Sequence, residues 1–181
     1  MAKTTNSQVT YKNRMILYAV IIGVAFIAII TINGGISTAA ALDQIHSSRD
    51  VSASVDRIWN TITNLGNDTV WNQVNTMKII KKTGDTTEAD TTVGPQNSKS
   101  HEIITLHPKQ RSMVTNVTQG PIVGSRVVTL IPSSENKTKV DILWNIDMPG
   151  VPFFGKGFAK DGFMKATEKA LDRLTQAAAI K

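Results

Sequence analysis

Histidine is the side chain that most readily serves as an acid, a base or a metal ligand near neutral pH. This chain has three, His46, His101 and His107. If the last two lie on one extended strand, six residues separate them by about 20 Å, so they cannot bind one metal ion. His101 and Glu102 are adjacent and would point to opposite faces of that strand, so they cannot act as a pair. We predict no metal site and no cofactor, and a solvent-facing His101 is favoured over a pocket acid or base.

Nucleophilic chemistry has little support in this sequence. The chain has no cysteine, which excludes a thiolate nucleophile, disulfides and cysteine-based metal sites. Serine and aspartate are plentiful, but the sequence contains no nucleophile elbow and no glycine-rich phosphate loop. The sequence leaves an enzymatic activity open and favours a binding function.

The net charge of +6 raises the question of nucleic-acid binding. Three of these charges, Lys3, Lys12 and Arg14, precede an apolar segment near the N-terminus. The other basic residues are scattered among acidic ones, and the densest group lies at residues 78–82. A nucleic-acid interface needs a basic stripe, often interleaved with aromatic residues. We therefore predict no nucleic-acid partner, and the sequence names no protein partner.

Residues 15–32, MILYAVIIGVAFIAIITI, contain no charged side chain. As a helix this segment would be about 27 Å long, close to the thickness of the hydrocarbon core of a bilayer. It is apolar on all faces, whereas a buried helix of a globular domain usually keeps a polar face. The segment is predicted to be a single transmembrane anchor. Because basic residues precede it, residues 1–14 are predicted to be a cytoplasmic tail and the rest of the chain to lie outside the cell membrane.

A cleaved signal peptide is the alternative. Residues 39–41, Ala-Ala-Ala, fit the small-residue pattern of a cleavage site, but the apolar segment is longer than the usual 7–15 residues of a signal peptide. A retained anchor is favoured on this ground. Cleavage would give a secreted protein instead, and both interpretations export the domain.

The exported part is predicted to be a linker at residues 33–44 followed by one domain at residues 45–181. A strand near residues 46–52 precedes a short helix with Ser54 as its N-cap. Trp59 lies on the apolar face of this helix, together with Val55, Ile58 and Ile62. We predict that Trp59 is part of the core.

Strands and a long helix fill the rest of the predicted domain. Turn signals divide residues 77–146 into six short strands, a pattern typical of a meander. The clearest strand is 138–146, where alternation places Trp144 on the inner face. A long helix is predicted from about residue 154 to residue 179, and its apolar stripe contains Phe163, Thr167, Ala170, Leu174 and Ala178.

This order of elements and several short motifs resemble the START-like superfamily, also called SRPBCC. That superfamily includes the polyketide cyclase/dehydrase group and the lipid-transfer START domains. The resemblance covers about residues 45 to 177, and Trp71 matches a tryptophan that the family commonly has after its second short helix. The motifs that carry it are Val51-Ser52-Ala53-Ser54-Val55-Asp56-Arg57-Ile58-Trp59, His101-Glu102-Ile103, Leu106-His107-Pro108-Lys109-Gln110-Arg111, and Leu130-Ile131-Pro132 followed by Thr138-Lys139-Val140.

The resemblance implies an α+β helix-grip fold, in which a curved antiparallel sheet surrounds a long C-terminal helix and encloses a cavity. In this chain the domain would be preceded by one N-terminal transmembrane helix. Such cavities bind lipids or other hydrophobic small molecules. The residues predicted to line the cavity and bind the ligand are Trp71, Met113, Trp144, Phe158 and Phe163.

Two loops place branched and aromatic residues between glycines and prolines, at positions 119–124 and 149–155. Ile122, Val123, Phe153 and Phe154 are predicted to form a pocket rim that meets the bilayer or a ligand, since exposed apolar patches usually mark interaction sites. The leading hypothesis is a membrane-anchored module that binds a lipid or another hydrophobic small molecule. The alternatives are a polyketide cyclase or dehydratase that uses His101 in its cavity, and an accessory domain of a membrane complex with no ligand.

Overall fold

The computed structural model describes residues 42–65, 74–94, 97–149 and 151–179. The predicted cytoplasmic tail, the predicted anchor at residues 15–32 and most of the predicted linker lie outside these ranges, as does Trp71. In the described part of the chain, no helix combines the length and the apolar composition that crossing a bilayer requires.

One antiparallel sheet of seven strands forms the body of the domain, in the order β1-β7-β6-β5-β4-β3-β2. Each strand pairs with its neighbour along the chain, except that β1 joins the far side of β7. In the described residues, two α-helices accompany the sheet. The elements are β1 Asp43–Val51, α1 Val55–Thr63, β2 Val74–Thr83, β3 Thr86–Val93, β4 Ser98–His107, β5 Ser112–Gln119, β6 Val123–Ser134, β7 Lys137–Asp147 and α2 Lys156–Ala179.

Register defines two ends of this sheet. Asp43 pairs with Ile146, and Val123 pairs with Asp147. The first residues of β1 therefore lie beside the last residues of β7 and the turn between β5 and β6. We call this the mouth end. The opposite end, the far end, carries the tight turns that connect β2 to β3, β4 to β5 and β6 to β7.

The periodicities read from the sequence are confirmed in α1 and β7. The Arg57 N–H donates to Ser54 Oγ at 3.4 Å, so Ser54 caps α1 as predicted. Ile58, Trp59 and Ile62 are buried, and Trp59 belongs to the core. In β7 the alternate residues from Thr138 to Ile146, Trp144 among them, are buried against the helices.

The long helix α2 is buried unevenly. Its buried side chains begin in the middle of the helix, and they are Thr167, Ala170, Leu171, Leu174 and Ala178. None of residues 156–166 is buried. The helix therefore packs closely on the sheet toward the far end and leaves space beside the sheet toward the mouth end. A curved sheet with a long C-terminal helix across its concave face is the helix-grip architecture that the sequence predicted.

Candidate functional site

A cavity of about 240 Å³ lies between the sheet and the N-terminal half of α2, at the mouth end. Its apolar lining residues are Val74, Val93, Val117, Pro121, Ile122, Trp144 and Phe163. Its other lining residues are Gly94, Ser98, Ser100, Glu102, Thr115 and Arg126.

Trp144 and Phe163 connect the two layers at the cavity. Their ring centroids are 4.6 Å apart with the planes at 81°, an edge-to-face contact between β7 and α2. Such aromatic pairs contribute about 0.5–1.5 kcal/mol beyond the area that they bury. The contact holds the helix beside the sheet without closing the space.

Two charged side chains of opposite sign lie in this mostly apolar cavity. Glu102 is 6% exposed and Arg126 is 5% exposed. In the register of β4, β5 and β6, Glu102 lies opposite Val117 and Arg126 lies opposite Thr115. Since Thr115 and Val117 are two residues apart on β5, both charged side chains lie on the same, concave face.

The cavity charges have polar contacts within the protein. The Thr91 hydroxyl donates to Glu102 Oε1 at 2.9 Å. A guanidinium nitrogen of Arg126 donates to Thr115 Oγ1 at 3.2 Å, and the Arg126 Cζ lies 5.1 Å from the centroid of the Trp144 ring. Burying a charge is costly unless hydrogen bonds or an opposite charge compensate it. The arrangement can accept one hydrogen bond from a ligand and donate another while apolar walls hold the rest of it.

Trp144 adds a third polar group to this region. Within the described ranges, its buried indole N–H has no hydrogen-bond partner. Most buried N–H groups in folded proteins are paired, so each exception calls for an explanation. An acceptor atom on a bound molecule would supply the missing partner.

The structure separates the five predicted ligand-binding residues. Trp144 and Phe163 line the cavity, and Trp71 lies outside the described residues. Met113 is on the concave face but two residues nearer the far end than Thr115, and there it is part of the closed core. Phe158 is 84% exposed and does not line the cavity. Five residues separate it from Phe163, about 140° around the helix, so the two side chains cannot face the sheet together.

The four predicted rim residues all lie at the mouth end. Ile122 lines the cavity, and Val123 begins β6 beside it. Phe153 and Phe154 form a short 3₁₀ turn before α2, and they are 92% and 84% exposed. The rim is therefore brought together, but its two aromatic residues face away from the protein.

His101 lies on the outer face of β4, opposite in direction to Glu102. Its Nδ1 is 2.9 Å from Asp90 Oδ1, and its Nε2 is 3.3 Å from Glu88 Oε1. The hydrogen bond with Asp90 is the main cause that raises the pKa of His101 above 6.5, and the nearby carboxylates of Asp90, Glu88 and Glu102 raise it further against a smaller effect of burial. His101 does not line the cavity, whereas its neighbour Glu102 does.

The other histidines also lie away from the cavity. His46 Nε2 is 2.9 Å from Asp141 Oδ1, and His107 is exposed at the end of β4. Among the described side chains, no group of three or more histidines and carboxylates is arranged so that it could hold a metal ion.

Sequence reasoning missed Glu102 and Arg126, although a signal was present. On β4 the buried residues are Ser100, Glu102 and Ile104, and on β6 they are Arg126, Val128 and Leu130. A charged residue in phase with buried neighbours on a strand marks a charge that faces inward.

A sequence comparison identifies the family of this chain. The profile of the family described as polyketide cyclase/dehydrase and lipid transport matches residues 43–179, from the start of β1 to the end of α2. This chain belongs to that family. The resemblance read from the motifs is thereby confirmed. Among curated proteins, no sequence matches the chain significantly.

Solved structures share the fold at low sequence identity. The protein TTHA0849 from Thermus thermophilus superposes with a TM-score of 0.67 at 14% identity, over 75% of this chain and 97% of that chain. The Zhui aromatase/cyclase from a Streptomyces species gives 0.62 at 11% identity, over 76% and 91%. Norcoclaurine synthase from Thalictrum flavum gives 0.62 at 16% identity, over 83% and 95%. At these identities the likeness establishes the helix-grip fold and nothing about the ligand.

Proposed function

We propose that this protein binds a small hydrophobic molecule with one polar end, in the cavity between the sheet and α2, on a domain held at the outer face of the cell membrane. The observation that carries the proposal is a mostly apolar cavity that contains the buried side chains of Glu102 and Arg126. Burying both charges in a small domain reduces its stability. Their presence is explained if they form polar contacts with a bound ligand.

The volume of the cavity narrows the choice of ligand. Pockets for drug-sized molecules measure about 300–1,000 Å³, and this one is about 240 Å³. It fits one or two rings, or a short chain with a polar end group, and it is too small for a lipid with two long acyl chains. Of the ligands predicted from the sequence, a small hydrophobic molecule is favoured over a membrane lipid.

Native mass spectrometry of protein from its own host tests this proposal. We expect a co-purifying molecule on the wild-type chain and none on Ser100→Leu, because the added side chain fills the cavity that Ser100 lines. Ser125→Leu is the matched control, since Ser125 is on the outer face of β6, next to the inward-facing Arg126. An empty wild-type protein would contradict the proposal and would favour the accessory domain without a ligand.

Catalysis is the second candidate function, and one observation favours it. The carboxylate of Glu102 lies inside the cavity with a guanidinium on the same face, so it could move a proton on a bound substrate while Arg126 stabilises a developing oxyanion. This would suit a cyclase or dehydratase reaction on a polyketide-like substrate. If Glu102→Gln abolished turnover of such a substrate and His101→Gln did not, the enzyme would replace the carrier as the better description.

A further inference from the structure

Three phenylalanines near the start of α2 are exposed far more than large aromatic side chains usually are. Phe153, Phe154 and Phe158 are 92%, 84% and 84% exposed, and they lie within six residues of one another. We call them the phenylalanine cluster. The Gly155 N–H donates to the Pro152 carbonyl at 2.8 Å, which fixes the turn that presents the first two. An exposed apolar patch of this kind usually marks a surface that binds another protein, a ligand or a membrane.

The phenylalanine cluster lies at the end of the domain where the described chain begins. β1 starts there at Asp43, whose carboxylate is 3.2 Å from Lys160 Nζ, two residues after Phe158. Lys156 is 3.5 Å from Asp147 at the end of β7. Two ion pairs thus join the first turns of α2 to the point where the chain enters the sheet.

The length of chain before β1 limits how the domain can stand on a membrane. Nine residues, 33–41, lie between Ile32, the end of the predicted anchor, and Leu42. Fully extended, the chain reaches about 35 Å from Ile32 to Leu42. The eleven residues of β7 span about 36 Å, so turning the far end toward the bilayer would use the whole reach of the linker. A shorter path would be enough for a domain whose mouth end faces the bilayer.

We infer that the phenylalanine cluster inserts into the interfacial layer of the bilayer that holds the anchor. The inference rests on the retained anchor that is part of the proposed function. Aromatic side chains are enriched at this depth of the bilayer, where an apolar ring meets the head groups. Since Lys156 and Lys160 already pair with carboxylates, insertion depends on the rings and needs no anionic lipid.

The cavity would then open toward the lipid. Ile122 and Phe163, which line it, come from a turn and a helix at the same end as the phenylalanine cluster. A hydrophobic molecule could pass between bilayer and cavity without crossing bulk water.

Single-cysteine labelling of the full chain tests this orientation, because the native chain has no cysteine. Phe158→Cys and the matched control Glu135→Cys, which lies in an exposed turn at the far end, would each carry an environment-sensitive fluorophore. The labelled proteins would be reconstituted into phosphatidylcholine liposomes that contain lipids spin-labelled on the acyl chain. We expect the label at position 158 to be quenched several-fold more strongly than the label at position 135.

Each other outcome overturns the inference in a distinct way. Equal quenching at both positions would show that the domain has no preferred face toward the bilayer. A label at position 158 that is shielded from aqueous iodide but not quenched by lipid would show that protein, such as a second copy, covers the phenylalanine cluster. If the protein did not float with the liposomes, the chain would not be anchored in the membrane, and this inference would be wrong.

A second variant confirms that the rings themselves are responsible. Phe153→Ser and Phe154→Ser together, in the chain labelled at position 158, should abolish the lipid quenching while leaving the fold intact, since both side chains project from the protein. The native mass spectrum of the same variant should keep the bound molecule, so a failure of membrane contact and a failure of ligand binding are separately visible.

Discussion

At the scale of single residues, the proposed binding of a ligand in the cavity depends on Glu102 and Arg126. Each is buried on a strand whose other inward residues are uncharged, and each has a threonine in hydrogen-bond contact, Thr91 for Glu102 and Thr115 for Arg126. A core selected for stability alone would place apolar residues at such positions, because replacing buried charges with well-packed apolar side chains is often neutral or stabilising.

Glu102→Gln should weaken ligand binding while keeping the fold. The amide keeps the shape of the side chain and an oxygen that can accept the hydrogen bond from Thr91, but it removes the charge. We expect affinity for the co-purifying molecule to fall about tenfold, the effect of losing one charge-assisted hydrogen bond. The measurement is ligand occupancy by native mass spectrometry during dilution. His101→Gln, on the other face of β4, should leave the occupancy unchanged, and an equal loss there would contradict the assignment.

His101 should make the stability of the domain depend on pH. Its pKa in the folded protein is raised above 6.5, chiefly by the hydrogen bond with Asp90, so the protonated form favours the folded state. That contribution is full below the unfolded pKa of about 6.5 and is lost as pH rises through the folded pKa. Urea unfolding of wild type and His101→Gln should therefore differ more at about pH 5 than at about pH 8.5. If the stability difference between the two proteins were the same at both pH values, the contacts of His101 with Asp90 and Glu88 would contribute nothing to the pH dependence of stability.

At the scale of elements, β6 depends on an unusual backbone conformation at its start. Gly124 has φ +133°, and a Cβ at this position would lie 2.1 Å from the Asn145 carbonyl oxygen on β7. Both the conformation and the close approach exclude a side chain. Glycine at position 124 therefore allows β6 to approach β7 closely at the mouth end, beside the cavity.

Gly124→Ala should destabilise the domain by about 1–3 kcal/mol or more, because it adds backbone strain and a clash with β7. Gly162→Ala is the matched control. Gly162 lies in α2 with nothing within 4 Å of the added carbon, and alanine there should stabilise the helix by about 0.5–1 kcal/mol. Urea unfolding of the two variants should give free-energy changes of opposite sign. Changes of the same sign would contradict this account of Gly124.

Sequence reasoning succeeded where one periodicity governs a whole element. The apolar face of α1 and the alternation of β7 each place their tryptophan correctly, because local spacing decides which side of the element is buried. It failed where position along an element matters. Met113 is on the correct face of the sheet but beyond the cavity, and Phe158 points away from the sheet on the half of α2 that packs on it least. The point at which a helix leaves a sheet depends on contacts between distant elements, which the sequence pattern does not contain.

At the scale of the whole molecule, the retained anchor remains a prediction from residues 15–32. If it is retained, N-terminal sequencing of the protein from its host should begin at or near Met1, and the protein should stay with membranes after washing with high salt. A mature N-terminus near Leu42 would instead show that a signal peptide was removed. The domain would then be secreted, and its ligand would be carried free of the membrane.

The uneven burial of α2 has a consequence for the size of the cargo. None of residues 156–166 is buried, although Ala159 and Phe163 pack against the core. Moving that half of the helix outward would therefore break fewer core contacts than the same movement at Leu171. Amide protons of the first half should accordingly exchange with solvent faster than those around Leu174. A molecule larger than the cavity of about 240 Å³ could therefore enter only if this half of the helix moved outward and the Trp144–Phe163 contact were lost.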